Sequence, residues 1–148
     1  MRANAIRDLL IERMNALDEH NVYRSERFIK DERTLKTQFL HDDRITGSWM
    51  RRVKRTDKER FTFGNTFTTW RVFLIEGFSE STASEERLDA RIDAVIDAFV
   101  DTPQLSAGLH VHQGDEAGIE LIEQAPFMLG GYLLHLATLE IRLFDESN

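Results

Sequence analysis

Two apolar stretches dominate the chain, residues 67–78 and 132–144, with one clean helical repeat between them. The first carries Phe67, Trp70, Val72, Phe73, Leu74 and Ile75, side chains that favour a pleated, half-buried surface. It predicts a strand over 65–78, ending near Gly77. The second alternates. Leu133, Leu139, Ile141 and Leu143 share one parity, while Thr138, Glu140 and Arg142 share the other. A period of two predicts a strand with one buried face and one wet or interfacial face. His135 falls on the apolar parity and reads as a hydrogen-bonded core or rim histidine. Between these strands, Leu88, Ile92, Val95, Ile96 and Phe99 recur at helical spacing and predict a helix over 85–100. Thr82 and Glu85 fit a capping box at its start, and Pro103 stops it.

At the N-terminus, Ile6, Leu9, Leu10, Met14 and Leu17 form one stripe and predict a helix over 2–20, closed by Asn21. The remaining segments are patterned less clearly. In 22–40 charges interrupt Tyr23, Phe28, Ile29, Leu35, Phe39 and Leu40, which suggests one or two short strands. Residues 105–124 contain Gly108, Gly114 and Gly118 and read as turns with one or two short strands; 126–131 reads as a break. Residues 50–63 alternate loosely and suggest an extended arm or hairpin with its tip near 56–58. The expected architecture is α+β: a mixed, mainly antiparallel β-sheet, two α-helices packed on one face, and an extended basic arm or hairpin at about 42–64. At 148 residues the chain fits one domain, 1–148.

Composition narrows the class. Apolar residues make up 41% and charged residues 30%, as in ordinary globular proteins. No apolar run reaches the roughly 18 residues of a membrane span, and residues 1–20 do not read as a secretory signal. Cysteine is absent, which removes disulfides, thiolate zinc sites and cysteine nucleophiles together and fits a reducing compartment. The net charge is −7 but uneven: residues 44–60 hold seven basic side chains against Asp57 and Glu59, a net +5, leaving −12 elsewhere. A positive segment on a negative body steers association with acidic surfaces.

Candidate chemistry is sparse. His110-x-His112 would put two imidazoles on one side of a strand, and Asp115 or Glu116 could add a carboxylate to a zinc site. No third ligand is fixed by spacing, so solvent-facing loop histidines are the favoured reading. No G-x-S-x-G turn occurs, and Gly130-Gly131 opens a strand instead of a helix, so it fits no nucleotide fingerprint; a bulge or close approach suits these glycines better. No catalytic residue, metal ligand or cofactor is assigned, and the chain is not expected to be an enzyme.

The basic run Arg51, Arg52, Lys54, Arg55, Lys58 and Arg60 lies between Trp49 and Phe61, aromatic rings that could stack on bases. The acidity of the whole chain argues against dedicated DNA binding and for docking on an acidic protein surface or non-specific contact with passing DNA. On the 85–100 helix, Asp89, Asp93, Asp97 and Asp101 fall on one flank and Arg87 and Arg91 on the opposite one. Like charges four apart cost a few tenths of a kcal/mol per pair, so the pattern does nothing for the isolated helix. It suits a head-to-tail contact between subunits that closes a ring.

With those elements placed, the order of segments resembles the phage tail-terminator (tail-completion) proteins, the family of the lambda tail terminator. The likeness runs through the helix RANAIRDLLIERMNAL, a variable arm, the strand TFTTWRVFLIEGF, the helix SEERLDARIDAVIDAFVDTPQL, a glycine-containing stretch and the closing strand GGYLLHLATLEIRLF. The resemblance implies a homo-oligomer, usually a hexameric ring, that caps the tail tube and stops its polymerisation. It implies a tail tube protein on one side and a head-side neck or connector protein on the other, with DNA passing through the lumen without sequence-specific binding. It places the protein in the virion, and in host cytoplasm during assembly. The arm, residues 51–60, would touch the tube. The competing readings are a head–tail connector or neck protein, or a small nucleic-acid-binding or metal-binding α+β domain.

Overall fold

The computed structural model describes residues 1–57, 66–79, 81–113 and 117–146. In chain order the elements are α1 (Ala3–Ala16), β1 (Val22–Tyr23), α2 (Glu32–Phe39), β2 (Leu40–His41), β3 (Arg44–Asp57), β4 (Thr66–Gly77), α3 (Ala83–Asp101), β5 (Gln104–Ser106), β6 (Leu109–Val111), β7 (Ile119–Leu129) and β8 (Tyr132–Asp145). The architecture is α+β, with a mainly antiparallel sheet. Strands β3, β4 and β8 form its centre, and β8 pairs with β7 along Tyr132 to Ile141 and with β6 along Leu143 to Asp145. β1 lies parallel to β3 at Ser48 and Trp49. Of the arm expected at about 42–64, residues 45–50 are instead buried strand within the sheet, because Ile45, Trp49 and Met50 join its two cores, and only 51–57 form the outer part of β3; its connection to β4, 58–65, lies outside the described residues.

The alternation read from the sequence is the alternation of the sheet. Trp70, Val72, Leu74, Ala137, Leu139, Ile141 and Leu143 are buried on one face, under Ile6, Leu10 and Met14 of α1 and Leu88, Ile92, Val95 and Phe99 of α3. Each fully buried side chain of this kind contributes about 1.5–3 kcal/mol. The two expected helices do share this face.

A third helix lies on the other face, in place of the short strands expected over most of 22–40. α2 presents Leu35 and Phe39, four residues apart, to Ile45, Trp49, Ile75 and Leu134. Its start is fixed by Asp31, whose carboxylate accepts from the Thr34 amide at 2.8 Å and the Thr34 hydroxyl at 2.7 Å. Those bonds hold the Asp31 carboxyl below its ordinary range. The helix approaches the sheet where Gly47 lacks a side chain: a Cβ there would lie 2.3 Å from Cδ1 of Phe39.

The break expected at 126–131 is instead the end of β7 and a two-residue hairpin. Leu129 pairs with Tyr132, and Gly130 and Gly131 turn the chain with φ of +60° and +76°, the positive values a tight hairpin of this hand needs. Pro126 is tolerated within β7 because β7 is an edge strand, where a missing amide donor need not break a ladder. The capping box at Thr82 and Glu85 does not form: Thr82 is already helical and makes no side-chain cap bond. Ser79 and Ser84 do that work reciprocally, each hydroxyl accepting from the other's amide at 3.1 Å. Among the described residues no helix is long and apolar enough to cross a membrane.

Candidate functional site

The helix that carries the suggested subunit contact uses its two flanks differently. Asp89, Asp93 and Asp97 are exposed, and Asp89 accepts from the Gln124 side chain at 2.9 Å. Arg87 and Arg91, expected on an outward flank, turn toward the sheet instead. Arg87 donates to Oε1 of Glu76 at 2.7 Å. Arg91 donates to both carboxylate oxygens of Glu19 and to the carbonyls of Ile75 and Gly47 at 2.6 and 3.0 Å, and lies 3.5 Å from Oε2 of Glu76. Arg91 therefore ties α3 to β4, β3 and the segment after α1. That role corrects its assignment to a subunit contact, because its guanidinium is already filled by acceptors within the chain.

Glu76 is the centre of this cluster and was not singled out by sequence. It is 1% exposed, with Arg87, Arg91 and, at 3.8 Å, Arg44 around it. The signal was present: Glu76 is the lone acid in the stretch 67–78 and directly follows the apolar run 72–75. A buried carboxylate needs opposite charge and donors to be tolerable; three arginines supply the charge and Arg87 a hydrogen bond to Oε1, while Oε2 has the Arg91 charge 3.5 Å away. The cleft beside it, about 260 Å³, is lined by Glu19, Arg44, Glu76, Arg87 and Arg91, so its charged groups already neutralise one another in large part.

His110 stands in a strand and His112 in the irregular chain just past its end, both half-buried beside an aromatic pair. His110 lies in β6 with its ring 5.3 Å from that of Phe144, and His112 packs edge-on to Phe67 at 5.7 Å. Phe67 and Phe144 themselves pair across β4 and β8 at 4.7 Å. Among the described residues no group of three His, Cys, Asp or Glu side chains is placed to hold a metal; Asp115 and Glu116 lie outside them. His135 is half-buried with its Nε2 3.0 Å from the Ser84 hydroxyl, as the sequence suggested.

The basic run forms the outer edge of the sheet. Arg51, Arg52, Lys54 and Arg55 are all exposed on β3, and Lys58 and Arg60 lie outside the described residues. They do not make one flat patch. Arg51 and Lys54 pair with Arg71 and Thr69 and share the face away from α1 and α3, whereas Arg52 and Arg55 pair with Trp70 and Thr68 on the helical face. Between them the register slips, leaving Val53 as an extra, 39% exposed residue. The Arg51 guanidinium lies over the Phe73 ring at 5.5 Å. Trp49, considered as a base-stacking ring, is 3% exposed and stacked on Phe73, so it is closed to an incoming base. Phe61 lies outside the described residues.

On the same open face the charges of the inner strands are matched. Arg71 reaches Glu140 at 3.3 Å, and Arg142 reaches Glu140 at 3.3 Å and Glu120 at 3.0 Å. Such part-exposed pairs are worth at most about 1 kcal/mol, but they occupy Glu140 of β8 and Glu120 of β7. β7, on the far edge, repeats the irregularity of β3. Its register slips between Leu121 and Glu123, leaving Ile122 extra and 43% exposed, beside Leu121 at 40%. Set against known proteins, the chain matches no family model and no curated sequence.

Proposed function

We propose that this chain is a structural protein of a phage tail, a tail terminator whose copies form a ring on the end of the tail tube. The observation that carries the reading is how charge is divided between inside and outside. Glu19, Glu76, Arg87 and Arg91 are paired within the fold. Arg52, Lys54, Asp93 and Asp97 are exposed on separate elements and make no ion pair among the described residues. Opposite charges on different surfaces of one chain favour head-to-tail association, which closes into rings when the rotation allows. The order of elements, a helix, a long basic hairpin, a covering helix and a closing hairpin, agrees with the layout that the resemblance implies. Within the basic arm, Arg52 and Arg55 on the helical face of β3 supply the tube contact, and the exposed remainder of the ring meets the head-side neck.

The test is to add the purified chain to tail tube protein during polymerisation and measure tube lengths by electron microscopy. Shortened tubes carrying one ring at a single end are the expected result. Unchanged lengths with no end density would overturn the reading. Rings found on the portal side of a particle, and not on the tube, would assign the protein to the connector or neck.

A further inference from the structure

We infer that copies of this chain join edge to edge, the free edge of β3 in one copy pairing antiparallel with the free edge of β7 in the next. The inference specifies how the ring proposed above is built and rests on that reading.

Both edges are open among the described residues. β3 is covered by β1 only at Ser48 and Trp49, and no strand pairs with its outer side from Met50 onward; β7 pairs with β8 alone. The four strands β3, β4, β8 and β7 alternate in direction, so β3 and β7 of one copy run oppositely. Stacking copies head to tail therefore brings the two edges together antiparallel.

Each edge carries one bulge, and a bulge ordinarily spoils an edge for further pairing. Here the two bulges match. When Arg51 is set opposite Glu123 in antiparallel register, Lys54 falls opposite Glu120. Arg51 and Lys54 are three positions apart, as are Glu120 and Glu123, and in each strand the register slip lies between them. The faces agree as well. Arg51 and Lys54 share a face with Arg71 and Thr69, and Glu120 and Glu123 share it with Glu140 and Thr138. Each cation thus meets a carboxylate on the same side of the extended sheet, Arg51 meeting Glu123 and Lys54 meeting a Glu120 that it shares with Arg142, and the exposed Val53 lies beside the exposed Leu121.

The same register explains where the junction stops. One step beyond Met50 opposite Gln124 it would reach Trp49, where β1 occupies the edge, and the next step would meet Pro126, which has no amide to donate. The join is also staggered. Within one copy the row through Arg51 runs by Arg71 and Glu140 to Glu120, whereas across the junction Arg51 meets Glu123. A stagger repeated with one hand tilts the strands, which a closed sheet requires.

Two charge reversals test this. Arg51→Glu with Lys54→Glu makes both edges negative, and Glu120→Lys with Glu123→Lys makes both positive. Each variant is expected to fall to the monomer mass of 17.2 kDa by light scattering with an unchanged circular dichroism spectrum. An equimolar mixture should recover the assembled mass, because alternate copies then match. A mixture that stays monomeric, or reversed variants that still assemble, overturns the junction. A second variant guards against misfolding. The chain has no cysteine, so Arg51→Cys with Glu123→Cys should give a ladder of disulfide-linked multimers on oxidation, since facing residues lie about 4.5–5.5 Å apart at Cα. Native chain that assembles while this variant forms no ladder overturns the junction alone; native chain that never assembles overturns the ring reading with it.

Discussion

The cluster around Glu76 and the row of cations on β3 use the same side chains in opposite settings. Around Glu76, arginines from α3 and β3 converge on a carboxylate that water barely reaches. On β3, Arg52 and Lys54 stand in solvent with no ion partner among the described residues. The difference separates charge that fixes the fold from charge that is left for a neighbour. In the first setting the arginines of α3 already have acceptors within the chain, and removing Glu76 takes one of those acceptors away. In the second, removing a charge leaves the folded chain nearly unaffected and changes what it can dock on.

That contrast can be broken from either side. The largest effect is expected at Glu76. Glu76→Leu removes the acceptor of Arg87 and one of the two acids beside Arg91, which keeps Glu19, and should lower the unfolding free energy by about 2–3 kcal/mol in urea titration. A loss under 1 kcal/mol would mean that the arginines find water instead. Gly47→Ala comes next. Its Cβ would press on the Phe39 ring beneath the carbonyl that Arg91 grips, and overpacking of this sort costs about 1–3 kcal/mol. Asp93→Lys should do the opposite on the outer flank. It replaces two like-charge neighbours with attractive pairs to Asp89 and Asp97, and should raise the melting temperature slightly, by a few tenths of a kcal/mol of stability.

The smallest effect is a pH dependence at the cap of α2. Asp31 has its folded pKa lowered by the Thr34 bonds, so its contribution is present above the unfolded value of about 4 and fades as pH falls through the folded one. The stability gap between native chain and Asp31→Ala should therefore be full at neutral pH and shrink in strong acid. A gap that is constant with pH would mean that the carboxylate does not cap the helix.

Much of the scaffold was legible because it is written in local periodicity. β4, α3 and β8 have unbroken patterns, and the parity of β8 told which of its side chains face the helices, including His135. α2 was not legible, since a helix of 8 residues with only Leu35 and Phe39 facing inward offers a single apolar spacing among charges. β7 was split in the sequence, its first half read among turns and short strands because of Gly118 and its glutamates, and its second half read as a break because of Pro126. The site was less legible than the fold. A helical wheel places Arg91 on a flank, but its partner Glu19 lies 72 residues earlier, and only tertiary packing joins them. The matched slips at Val53 and Ile122 depend on pairing registers that no single strand reveals.

Ring formation requires self-association through surface charge. The direct measurement is the mass of the native chain by light scattering across protein concentration, at low and at high salt. The expected result is a discrete multiple of 17.2 kDa that dissociates as salt screens the edges. A mass of 17.2 kDa at every concentration and salt would contradict it.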